Sequence, residues 1–148
     1  EGNRGKGAAL KTGLAYATQK GFRYAITIDS DGQHFADDIP QFMEQIRKTP
    51  DALIIGARNL TAENMPSKNT FANKFSNFWY KVETGKSLTD TQSGYRLYPL
   101  DKLRDMKFFT PRYEFEVEII VRAAWRGKRV TCFTFPPISG FYPYQPAQ

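Results

Sequence analysis

Cysteine and histidine are nearly missing from this chain of 148 residues, with Cys132 and His34 standing alone. A single cysteine excludes an internal disulfide framework, and Cys132, within Arg129-Val130-Thr131-Cys132-Phe133, reads as a strand interior. No apolar run approaches the roughly 18 to 20 residues that span a bilayer, and no charged-then-apolar leader is present. The opening segment Glu1-Gly2-Asn3-Arg4-Gly5-Lys6-Gly7 lacks an initial Met and runs from a loop-like stretch straight into a helix. The expectation is a chain cut mid-domain, whose missing flanks could hold membrane helices. Internal repeats and low-complexity segments are absent too. What is there is ordinary for a globular protein: 41% hydrophobic and 24% charged residues exclude a disordered or collagen-like chain. The length fits one domain, residues 1–148. The net charge of +6 suits phosphate-bearing partners, whether nucleotide, nucleic acid or an anionic membrane surface, without choosing among them.

Periodicity orders the chain. Leu10, Leu14 and Ala17 mark a helix over 7–20 that Gly21 stops. Tyr24-Ala25-Ile26-Thr27-Ile28 reads as a buried strand ending at Asp29. Asp37-Asp38 opens a helix carrying Ile39, Phe42, Met43 and Ile46, with Pro40 in its first turn and Pro50 as its stop. Ala52-Leu53-Ile54-Ile55-Gly56 is a second buried strand, so strand, helix and strand predict a βαβ unit with parallel pairing and an α/β fold. Residues 61–70 read as a surface loop. Phe71, Phe75, Phe78, Trp79 and Val82 follow at helical spacing as a core-facing stripe closed by Gly85. Beyond Tyr95-Arg96-Leu97-Tyr98, a short helix near Leu100–Met106, a longer one over Phe115–Arg126 and a last strand over Val130–Phe135 precede the Pro136-Pro137 break.

Two carboxylates one residue apart at a strand end, Asp29 and Asp31, can present oxygen ligands to one hard divalent ion. A solvated turn would use the same residues. An EF-hand is excluded because its sixth and twelfth positions would fall on His34 and Pro40. Gly5-Lys6-Gly7 lacks the spacer and the hydroxyl residue of a P-loop, but can aim backbone N–H groups from a helix N-terminus, with Arg4 and Lys6 alongside, at an anion such as a diphosphate. A plain turn is the bland alternative.

Four motifs in order carry a resemblance: Asn3-Arg4-Gly5-Lys6-Gly7-Ala8-Ala9, Ile28-Asp29-Ser30-Asp31-Gly32-Gln33-His34, Gly56-Ala57-Arg58 and Asp90-Thr91-Gln92-Ser93-Gly94-Tyr95-Arg96. Over nearly its whole length the chain resembles family 2 glycosyltransferases, in the branch of dolichyl-phosphate mannosyltransferases and bacterial polyprenyl-phosphate glycosyltransferases. The resemblance implies a GT-A fold with a mostly parallel sheet flanked by helices, its N-terminal part missing here. It further implies a nucleotide-diphosphate sugar donor, a Mg²⁺ or Mn²⁺ ion, inversion at the anomeric carbon, and a lipid-phosphate or glycan acceptor. By matching position Asp29, Asp31 and Gln33 are expected at the metal, with Gly5, Lys6, Asp29 and Arg58 on the donor. Asp90 is expected near the acceptor, as general base for a hydroxyl or in an orienting role for an ionised phosphate. Arg96 is expected to stabilise phosphate charge, with an ion pair bracing Asp90 as the alternative. Glu114 and Glu116 match the segment before the last core helix, where a solvated helix start favours acids anyway. His34 reads as structural or outside the ligand set, the site being rich in oxygen already. The enzyme is expected in the cytoplasm, in peripheral contact with the membrane, with no nucleic acid partner. Two rivals remain. A sugar-1-phosphate nucleotidyltransferase would need a glycine-rich opening loop that is not visible. A basic nucleic-acid-binding module would show salt-dependent retention of single-stranded DNA and no response to sugar nucleotide.

Overall fold

In chain order the described residues form helix α1 (Lys6–Gln19), strand β1 (Tyr24–Thr27), a 3-10 turn (Ala36–Asp38), α2 (Ile39–Lys48), β2 (Leu53–Ala57), α3 (Ser67–Thr84), β3 (Arg96–Pro99), α4 (Leu100–Leu103), α5 (Glu114–Trp125) and β4 (Val130–Thr134). The computed structural model describes residues 4–30, 34–57 and 67–135, without the side chains of 67–70. Asp31, Gln33, Arg58, the segment 61–66 and the Pro136-Pro137 break lie outside the described residues.

β2 is apolar at every position and every residue of it is buried, as expected of a strand covered on both faces. Alternation along the strand sends Leu53 and Ile55 to one side, where Phe115, Ile119, Ile120 and Ala123 of α5 meet Tyr80, Tyr98 and the α1 residues Leu10, Leu14 and Ala17. Ile54 points the other way, to Phe42 and Ile46 of α2 with Tyr95 and Leu97. Each fully buried aliphatic or aromatic side chain contributes about 1.5–3 kcal/mol of transfer free energy, so these two layers hold the sheet between helices. Gly56 leaves room for this packing, since a Cβ there would run into the rings of Phe135 and Phe42.

The α/β class holds, and the sheet is mixed. Among the described residues its strand order is β1-β3-β2-β4, with β3 antiparallel to both β1 and β2, and β2 parallel to β4. β1, β2 and β4 therefore share one direction, but the expected parallel pairing of β1 with β2 does not occur. Arg96-Leu97-Tyr98-Pro99, to which periodicity assigns no strand, inserts between them with all four residues buried. The arginine at its start hides this strand from a search for apolar runs.

Two further expectations are corrected. α3 already includes residues 67–70, where the sequence pattern predicts a loop. Its aromatic stripe faces outward: Phe71, Phe75, Phe78, Trp79 and Val82 are all exposed, while Asn73 and Tyr80 are buried. Spacing reports that one face is apolar, not which way it points. Here the inward face is claimed by hydrogen bonds that α3 makes with residues 89–91.

In the second turn of α5, Glu118 fastens the connection at Phe109 and Thr110. Its carboxylate accepts from the backbone N–H groups of Phe109 and Thr110, the Thr110 hydroxyl (2.6 Å) and Arg122 Nε (2.7 Å). Burial acts to raise this carboxyl's pKa, but the hydrogen bonds prevail and lower it from 4.5 to about 2. A folded value below the unfolded one stabilises the fold above about pH 4.5, and that contribution is lost as pH falls toward 2. Glu118→Gln is expected to cost about 1–3 kcal/mol at neutral pH. Urea melts should show the gap between variant and parent narrowing across that acid window.

Candidate functional site

Because β1 and β2 run the same way, their carboxyl ends share one edge of the sheet, and the chain enters β3 at that edge through residues 90–95. Short hydrogen bonds fasten this entry. Thr27 Oγ1 donates to the Gly94 carbonyl at 2.8 Å, Ser93 Oγ to the Gly56 carbonyl at 2.6 Å, and the Gly56 N–H to the Tyr95 carbonyl at 2.8 Å. Two residues past β1, the Asp29 carboxylate rests on the Gly94 backbone so closely that a Cβ at position 94 would fall on its oxygens.

α1 starts beside this edge. Gly5, at φ +86°, turns the chain into the helix, and the Ala8 N–H donates to the Pro111 carbonyl at 2.8 Å. Gly7 is buried against the backbone of Pro111 and Arg112, where no side chain would fit. So placed, Lys6 extends its ammonium between two carboxylates, 2.7 Å from Asp29 Oδ1 and 2.9 Å from Glu116 Oε2 on the first turn of α5. Burial acts to lower the Lys6 pKa, but hydrogen bonds and charge from Asp29 and Glu116 outweigh it and the net shift is upward. The side chains of Lys6 and Asp29 keep 28% of their surface open to solvent, against 10% for Glu116. The cluster thus opens at Lys6 and Asp29 and closes at Glu116.

Arg96 and Asp90 form the floor, and both are fully buried. The Arg96 guanidinium donates to the carbonyls of Ser93 (2.6 Å), Thr91 (2.8 Å) and Glu116, tying the 90–95 segment to α5. Asp90 Oδ1 accepts the backbone N–H groups of Gln92 and Ser93, each at 3.1 Å, which folds the turn before Gly94. On its outer side this turn is gripped by α3. Asn77 Nδ2 donates to the Thr89 carbonyl at 2.8 Å, Asn77 Oδ1 accepts from the Thr91 N–H at 2.9 Å, and the Thr91 hydroxyl reaches Ser76 Oγ at 2.8 Å.

Of the residues singled out in the sequence, the structure brings Gly5, Lys6 and Asp29 together and sets Asp90 and Arg96 directly beneath as a packed support. Glu116, which the resemblance matches to the segment before the last core helix, belongs to the cluster; the exposed neighbour Glu114 is what a helix start looks like. His34 packs against the Tyr95 ring at a centroid distance of 5.0 Å, a structural position. Among the described residues no group of three or more His, Cys, Asp and Glu is arranged to hold a metal ion, and Asp31 and Gln33 lie outside them. The donor set still suits a hard divalent ion: Asp29 and Glu116 offer carboxylate oxygen and already share one cation, the Lys6 ammonium.

The sequence profile described as Glycosyl transferase family 2 matches residues 1–106. The chain belongs to that family. Family 2 relatives include the undecaprenyl-phosphate mannosyltransferase of Micrococcus luteus, 30% identical over 132 residues that cover 85% of this chain and 54% of that protein. The UDP-N-acetylglucosamine–dolichyl-phosphate N-acetylglucosaminyltransferase of Methanococcus voltae is 32% identical over 128 residues, 83% of this chain and 51% of its own. The polyprenol monophosphomannose synthase of Mycolicibacterium smegmatis is 26% identical over 129 residues, 83% and 48% respectively. The chain spans about half the length of these curated relatives. The names of all three relatives pair a sugar with a polyprenyl or dolichyl carrier.

Proposed function

We propose that the protein containing this chain moves a hexose from a nucleotide-diphosphate sugar to a polyprenyl phosphate at a membrane surface, with inversion at the anomeric carbon. The observation that carries this reading is the Lys6–Asp29–Glu116 cluster, in which a helix start and a strand end meet around a carboxylate pair that already holds a cation. A nucleoside diphosphate needs positive charge beside its non-bridging oxygens and an oxygen-rich seat for a metal. This cluster supplies both.

A Mg²⁺ or Mn²⁺ ion, held by Asp29 together with Asp31 and Gln33, would supply neutralisation of the leaving diphosphate's charge. Lys6 adds a second cation on the same side, close enough to Asp29 to shift from the carboxylate to a diphosphate oxygen as the donor arrives. Arg58, following β2, serves a phosphate of donor or acceptor. In the transfer, an acceptor phosphate oxygen forms the new bond to the anomeric carbon while the bond to the nucleotide diphosphate breaks on the opposite face. That gives inversion. An acceptor phosphate is ionised at neutral pH, so no base has to remove a proton, and Asp90 is left with the orienting task its hydrogen bonds describe. Arg96, sealed under the site, positions the 90–95 turn through backbone carbonyls rather than touching phosphate.

The test is transfer of labelled sugar from UDP- and GDP-hexoses to polyprenyl phosphate by the full-length protein. A lipid-linked sugar phosphate of inverted configuration is expected, with at least about 100-fold loss in Asp29→Asn, the scale at which removing one charge-stabilising group acts. Undiminished transfer by Asp29→Asn would contradict the assignment.

A further inference from the structure

α3 is built inside out for a helix facing water. Its polar residues Asn73, Ser76, Asn77 and Thr84 turn inward with Tyr80, and all four hold residues 89–91 or the helix's own turn. Phe71, Phe75, Phe78, Trp79 and Val82 recur at i, i+4, i+7, i+8 and i+11 on the outer face, with exposures of 73, 57, 58, 47 and 56%. At 3.6 residues per turn they cover a continuous stripe about 100° wide. Scattered exposed apolar residues are normal, but a stripe made mostly of aromatic rings marks a surface that meets something.

Charge selects the partner. Lys74 and Lys81 are exposed and share one flank of the stripe, and Glu83 is the sole acidic residue between 71 and 84. Trp125, also exposed, extends the aromatic surface from the end of α5 and donates its indole N–H to the Glu83 carbonyl at 2.8 Å. Aromatic rings that tolerate the water–hydrocarbon boundary, lysines at their border and a net charge of +6 are what an interfacial helix presents to anionic headgroups. No helix among the described residues is long and apolar enough to cross a membrane, so contact through this chain would have to lie along the surface.

We propose that the outer face of α3 seats the domain on an anionic lipid bilayer, with Phe75, Phe78 and Trp79 entering the headgroup region and Lys74 and Lys81 on its phosphates. The idea rests on the polyprenyl-phosphate reading and adds its geometry. The same helix whose outer face meets lipid grips, with its inner face, the turn that carries Asp90. Headgroups and site floor are then about one helix diameter apart, roughly 10 Å.

The test uses the full-length protein and vesicles of phosphatidylcholine with or without phosphatidylglycerol, both free of polyprenyl phosphate. Brominated lipids are expected to quench the emission that is lost in Trp79→Phe. Phe75→Ser with Trp79→Ser should weaken partitioning at least tenfold while leaving nucleotide binding and transfer to a short, water-soluble polyprenyl phosphate unchanged. Lys74→Glu with Lys81→Glu should remove the preference for the anionic vesicles. Trp79 emission untouched by brominated lipid would overturn the proposal, whether because another segment covers the stripe or because the protein binds single-stranded DNA there instead. Absence of transfer to any polyprenyl phosphate, with lipid quenching intact, would sink the acceptor reading and leave the docking surface standing.

Discussion

Gly94→Ala is expected to reduce sugar transfer by at least about 100-fold while the protein stays folded, because displacing a reacting group by an ångström costs on that order. The added methyl would occupy the space of the Asp29 carboxylate, so Asp29 must rotate away from Lys6. The Asp29 side chain is partly open to solvent and can swing outward. The signature is a variant with near-parental circular dichroism and melting temperature but weak metal-dependent nucleotide binding. Combining it with Asp29→Ala should remove the clash without restoring turnover, so the double variant should be no worse than Asp29→Ala alone. Full activity in Gly94→Ala would mean that the present position of Asp29 is not the working one.

Arg96→Met should act in the opposite manner, through stability. Three backbone carbonyls lose their donor and the 90–95 turn loses its tie to α5. Breaking a buried charged network of this kind costs about 3–5 kcal/mol, a large share of the roughly 5–15 kcal/mol that holds a domain together. The melting temperature should fall by roughly 10–20 °C. Arg96→Lys should recover little, since an ammonium cannot reproduce the planar fork that serves three acceptors at once. A thermal scan of both variants decides the matter. An unchanged melting temperature with lost activity would return Arg96 to the phosphate-binding role that its sequence position suggests.

The difference between these two residues shows what was legible. Strand-end acids, glycine turns and helix periodicity are local, and they located α1, β1, α2, β2, α5 and β4 within a few residues, together with Lys6 and Asp29. β3 was not legible as a strand, because its place between β1 and β2 depends on long-range pairing and its first residue is an arginine that donates to carbonyls of Thr91, Ser93 and Glu116. Glu116 was masked by a rule of thumb that is correct for Glu114, and two residues along the same helix it fails because that side chain turns toward Lys6. The stripe on α3 faces outward, against the sequence expectation, for a related reason. Helical spacing fixes which residues share a face, whereas the hydrogen bonds that Thr89 and Thr91 ask of Ser76 and Asn77 decide which face goes in.

Calorimetric titration of the chain with UDP or GDP, in the presence and absence of Mn²⁺, tests the donor site most directly, with Asp29→Asn measured alongside. The expected result is nucleotide binding that requires the metal and disappears in the variant. Binding that is indifferent to Mn²⁺ and unchanged in Asp29→Asn, by a chain shown to be folded, would contradict a donor site built around Asp29.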